Sequence, residues 1–114
     1  MRILTKSIEK KLRANHAATI AAEGENLGHK PVVKLFGGAA FTFLASEMDD
    51  ENNLYGLADL GWGSPELGST SFAEIAATRF PPFGLGVERD RGFKASKTLS
   101  EYASEARQEG RIRT

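Results

Sequence analysis

The side chains able to do chemistry are few and scattered. There is no cysteine, and His16 and His29 are the only histidines. Thiolate metal sites, thiol nucleophiles and disulfides are therefore excluded. A metal site needs two to four convergent ligands. Two histidines thirteen residues apart near the start of the chain fit no metal motif, and both are expected at the surface. Asp49, Asp50 and Glu51 cluster as oxygen ligands would, but without the spacing and central glycine of a calcium loop. They are expected to form a solvated hairpin tip. Gly61-Trp62-Gly63-Ser64-Pro65 places a serine among glycines without matching the Gly-x-Ser-x-Gly elbow, and no phosphate-cradling glycine loop occurs. Neither a metal nor a cofactor is expected.

What remains is a set of carboxylates at strand ends and in loops, Glu47, Asp59, Glu66, Glu88 and Asp90, where active-site acids are often found. Spacing alone does not bring any two together. Glu88-Arg89-Asp90-Arg91 alternates in sign and reads as a cross-strand salt-bridge ladder. Trp62, between two glycines in a turn-rich stretch, stands outside every periodic element. A large ring in such a place is a candidate interface residue. The binding candidates are Trp62, Glu66, the Asp49, Asp50 and Glu51 turn, Asp59, Glu88, Arg89 and Asp90; no catalytic residue is assigned.

The elements that must position these residues follow from patterning. Thr5 precedes a charged stretch with Ile8 and Leu12 four apart, which predicts an amphipathic helix with a narrow apolar stripe. It frays into a loop between residues 17 and 30, where Gly24, Asn26 and Gly28 lie. Val32, Val33, Leu35 and Phe36, then residues 40–48, then Leu54 to Leu60 read as three strands separated by Gly37-Gly38 and by the polar 49–53 turn. Connections this short require an antiparallel meander. The second strand lacks strict polar alternation, so both its faces are expected to be partly covered. Residues 61–68 read as loop. Ser71 and Glu74 have capping-box spacing before a short helix that ends ahead of Pro81 and Pro82. Residues 87–93 read as a last strand or ordered loop. Thr98 and Glu101 form a second capping box before a helix stopped by Gly110, with 111–114 a frayed tail.

At 114 residues the chain suits one domain over 1–114 with an α+β fold: an antiparallel sheet of about three to five strands flanked by an N-terminal, a short middle and a C-terminal helix. With 40% hydrophobic and 26% charged residues it lies outside the disordered class. Fifteen basic residues balance fifteen acidic ones, which disfavours both non-specific nucleic-acid binding and DNA mimicry. Met1, Arg2 and the residues that follow return to charge too soon for a signal peptide, and no apolar run approaches a bilayer span. The expected setting is the cytoplasm, as a monomer or small homo-oligomer.

The order of segments resembles the family known as domain of unknown function 2958. The resemblance is carried by Leu4-Thr5-Lys6, Pro31-Val32-Val33-Lys34-Leu35-Phe36, Tyr55-Gly56-Leu57-Ala58-Asp59-Leu60-Gly61, Pro65-Glu66-Leu67-Gly68, Gly86-Val87-Glu88-Arg89-Asp90 and Leu99-Ser100-Glu101-Tyr102-Ala103, in order over nearly the whole chain. Phe43 stands where the family tends to carry Trp, and Gly37-Gly38 where it tends to carry Thr-Pro. The resemblance supplies no catalytic residue. It implies accessory cargo of bacterial plasmids, integrative elements and prophages, and hence a non-enzymatic, anti-restriction or anti-CRISPR protein whose partner is a host defence nuclease subunit. Two other readings compete: a small hydrolase using Asp59, Glu66 and Glu88, and a nucleic-acid regulator using Lys6, Lys10, Lys11 and Arg13 of the first helix.

Overall fold

The computed structural model describes residues 3–114, so Met1 and Arg2 of the leader reading lie outside it. Helix α1 spans Lys6–Ala21 and starts where Thr5 Oγ1 accepts the Ile8 N–H at 3.1 Å. This cap satisfies one of the first-turn donors that a helix leaves unpaired. The alanine-rich end carries the helix to Ala21, inside the window expected, and Glu23 and Gly24 turn the chain back with positive φ. Among the described residues no helix is long and apolar enough to cross a membrane.

The strands are β1 (Val33–Gly37), β2 (Phe41–Met48), β3 (Asn53–Asp59), β4 (Glu66–Ser71), β5 (Arg79–Phe80), β6 (Leu85–Gly86) and β7 (Glu88–Arg89). Five of them form an antiparallel sheet in the order β4-β3-β2-β1-β7, while β5 and β6 make a separate two-residue hairpin. The expected meander is β1-β2-β3, and residues 88–89 do extend it. Two elements depart from the sequence reading. Glu66–Ser71, whose first three residues fall in the stretch read as loop, is the fourth strand of the meander, with Leu67 its only large apolar residue. An edge strand needs only its backbone ladder to one neighbour, so its side chains carry little of the texture that marks a buried strand. The short β5–β6 hairpin around Pro81 and Pro82 likewise has no periodic pattern.

Both faces of the sheet are covered, which explains the missing alternation in β2. Phe43 and Ala45 join Leu12 of α1, Leu35, Leu54 and Ile75 in one core. Leu44 and Leu57 join Leu99, Tyr102, Ala103 and Ala106 in the other, under α3 (Leu99–Glu109). Ile75 comes from α2 (Phe72–Ala77), where Ser71 Oγ accepts the Glu74 N–H at 3.3 Å.

Helix α3 has both halves of its capping box: the Thr98 N–H donates to Glu101 Oε1 at 2.9 Å and the Glu101 N–H to Thr98 Oγ1 at 3.2 Å. Gly110 ends it in the left-handed region at φ 74. Thr98→Ala removes an acceptor while leaving the buried face intact, and is expected to lower unfolding stability by about 1 kcal/mol in urea titration. An unchanged midpoint would assign the start of α3 to packing alone. The tail beyond Gly110 is not frayed, contrary to the sequence reading. Ile112 packs on the second core and its N–H donates to Asp59 Oδ2 at 3.0 Å, which holds the tail against the end of β3.

Candidate functional site

Two cavities flank β4, and they differ in chemistry. The first begins at a bulge. Between Ala45 and Glu47 the β2–β3 register slips, so that Ser46 has no partner on β3. Its carbonyl accepts Asn15 Nδ2 at 2.9 Å from α1. A bulge re-aims the residue after it, and here Glu47 meets His16, Oε1 to Nδ1 at 3.2 Å, with the Glu47 side chain 13% exposed. One turn further along α1, Thr19 Oγ1 lies 3.0 Å from His29 Nε2 on the returning loop. Both histidines, expected at the surface, are half-buried in the wall of one cavity of about 370 Å³. The i, i+3 spacing of His16 and Thr19 was visible in the sequence, but the reversal that returns His29 to them was not.

Acidic groups dominate the charge of this cavity. Glu25, Glu47 and Asp49 line it, with Tyr55, Leu67 and Ser69 on the sheet side. Asp49 Oδ1 accepts the Asn53 and Glu51 N–H groups, each at 2.9 Å. Chiefly because of the Asn53 N–H, its carboxyl is held below the usual carboxylate range. The Asp49 to Glu51 turn is thus a self-bonded hairpin tip. Arg13 fastens it to α1 through the Asp49 carbonyl at 2.8 Å and Asn52 Oδ1 at 2.6 Å. Among the described residues, no three His, Asp or Glu side chains gather as metal ligands.

The second cavity is an apolar groove of about 630 Å³ whose lining includes Phe41, Phe43, Leu60, Trp62, Ile75 and Phe80. Phe43 and Ile75 belong to the first core, so the groove is that core's open margin. Phe41 and Phe80 form its floor as a tilted ring pair with centroids 5.9 Å apart. Trp62 stands over it 82% exposed, next to Leu60 at 50%.

The candidate residues chosen from sequence do not form one site. Asp59 is buried, and its two oxygens accept the N–H groups of Gly61 and Ile112, so it ties segments together. Glu66 lies on β4 and Glu88 on β7, the opposite edges of the sheet. Four strand spacings separate those edges, roughly 19 Å. Of the expected cross-strand salt bridges, Asp90 meets Lys34 of the adjoining β1 at 3.8 Å, and Arg89 Nη1 donates to the Ile3 carbonyl at 2.6 Å.

The family described as Protein of unknown function (DUF2958) matches residues 3–113, nearly the whole chain. No curated protein and no solved structure matches it.

Proposed function

The chain belongs to the DUF2958 family, and from that premise we propose that it acts by binding another protein through the groove beside Trp62. The observation that carries this is the 82% exposure of the only tryptophan, above an apolar groove continuous with the core. An indole left in water sacrifices a large burial term that a partner's surface would recover. Central aromatic residues of this kind dominate interface energetics. In the mobile-element setting that the resemblance implies, the partner is a subunit of a host restriction or CRISPR complex.

The competing readings find less support. The hydrolase reading needs Asp59, Glu66 and Glu88 in one cleft, whereas Glu66 and Glu88 occupy opposite sheet edges and Asp59 is engaged by backbone donors. The nucleic-acid reading keeps Lys6, Lys10 and Lys11 exposed on α1, but Arg13 is bound to Glu9 and the hairpin tip, and basic and acidic residues balance at fifteen each.

Trp62→Ala is expected to weaken binding to purified restriction or CRISPR effector complexes about tenfold or more, and to leave the thermal midpoint unchanged because the ring is exposed. The measurement is surface plasmon resonance beside a melting curve. Equal affinity of wild type and variant for a complex that does bind would remove the groove from the interface. Failure of every such complex to bind would remove the anti-defence role.

A further inference from the structure

Strand β4 separates the two cavities, and no strand of the described residues pairs with its outer side. The direction of its main-chain groups can be read from the ladder. The Phe72 N–H donates to the Asn52 carbonyl at 3.0 Å, and the register pairs Thr70 with Leu54, Gly68 with Gly56 and Glu66 with Ala58. Antiparallel bonding alternates every second residue. Glu66, Gly68 and Thr70 therefore turn their N–H and C=O groups toward β3, and Leu67 and Ser69 turn theirs outward.

The side chains alternate as well. Leu67 and Ser69 line the acidic cavity, while Thr70 lines the apolar groove. Glu66 and Gly68 share the side of Thr70, and a methyl group added at Gly68 would meet nothing within 4 Å. A strand added at this edge would thus turn alternate side chains toward the apolar groove, beside Thr70, and toward the cavity that Leu67 and Ser69 line together with Glu25, Glu47, Asp49 and Tyr55.

Resting on the protein-binding reading above, we infer that β4 is the docking edge for an extended segment of the partner protein in which large apolar residues alternate with Lys or Arg. The apolar residues fill the groove beside Trp62. The basic ones meet the carboxylates and the Tyr55 face. A second copy of this chain is a poor occupant. Antiparallel pairing of β4 with its own copy keeps like faces together, so the copy would bring Glu66, Gly68 and Thr70 to the apolar side and Leu67 to the acidic side.

The test uses the full chain and a short synthetic peptide alternating Arg and Leu, followed by the fluorescence of Trp62. Three control peptides accompany it: one of the same composition with the alternation scrambled, and two isomers N-methylated on either the Arg or the Leu nitrogens. Strand addition predicts binding of the parent, about tenfold weaker binding of the scrambled peptide, and a similar loss for one N-methyl isomer but not the other. Ser69→Pro removes an outward N–H at an edge position that tolerates proline, and should weaken the parent by a like factor. The peptide arm stands even if that variant fails to fold.

Equal binding of both isomers would overturn the inference; the groove reading would stand if Trp62→Ala still weakens the parent. Loss on N-methylation of one isomer with indifference to Trp62→Ala would support strand addition and remove the groove. No binding of any peptide, beside Trp62-dependent binding of a defence complex, would overturn the inference alone. A concentration-dependent dimer abolished by Ser69→Pro would overturn it by giving the edge to a second copy.

Discussion

Gly56→Ala is expected to destabilise the protein by about 3 kcal/mol or more, while Gly68→Ala, its cross-strand partner, changes stability by less than about 1 kcal/mol. The two glycines face each other across β3 and β4, Gly56 on an interior strand and Gly68 on the edge strand. They differ in the space around them. A Cβ at Gly56 would lie 2.0 Å from the Leu44 carbonyl oxygen and 2.9 Å from the Ala45 Cα, both backbone atoms of β2. Backbone cannot rotate aside as a side chain can, so the strand pair must separate. It would separate beside the Ser46 bulge, and the Ser46 carbonyl that accepts Asn15 and the Glu47 carboxylate that meets His16 would both shift. Urea denaturation of the two variants side by side is the measurement. Comparable small effects in both would mean that β2 does not approach β3 this closely in solution.

How legible the fold was in the sequence follows from how local each signal is. The caps at Thr5, Ser71 and Thr98 were readable because a cap is decided within four residues, and each accepts the N–H three positions on. The meander was readable because Val33 to Met48 has β-branched and aromatic texture broken by a Gly-Gly turn. β4 was not, since Glu-Leu-Gly-Ser-Thr-Ser is indistinguishable from loop until β3 is known to lie beside it. The acidic cavity depends on contacts between positions thirty-one residues apart, as for His16 and Glu47, and no period encodes those. Trp62 stands out as a candidate interface residue in the sequence because a large ring between two glycines belongs to no apolar stripe, and it is 82% exposed. The carboxylates were the weakest signal. Ionised side chains at strand ends are equally suited to solvent, to turns and to chemistry, and only their partners distinguish these uses.

Asp59 shows that most clearly, and its substitution is expected to have the second large effect. It is 5% exposed at the end of β3, with Oδ1 accepting the Gly61 N–H at 2.8 Å and Oδ2 the Ile112 N–H at 3.0 Å. In Asp59→Ala two main-chain donors lose a charged acceptor in a partly enclosed place, at about 1 to 3 kcal/mol each. A total loss near 3 kcal/mol is expected. Asp59→Asn keeps one carbonyl oxygen but aims an amide donor at the other N–H, so it should fall between wild type and Ala. The effect also reaches the proposed interface. Gly61 adjoins Trp62, and Ile112 packs in the second core, so releasing both loosens the loop that presents the indole. Steady-state anisotropy of the single tryptophan should therefore fall in Asp59→Ala, and affinity for the proposed partner should fall with it, although Asp59 itself is buried. Denaturation midpoint, anisotropy and affinity changing together, with Asn intermediate, would identify Asp59 as the tie that positions the binding loop. Lost affinity with stability and anisotropy intact would instead return this carboxylate to the list of direct contacts, because only a group that meets the partner can act without disturbing the fold around it.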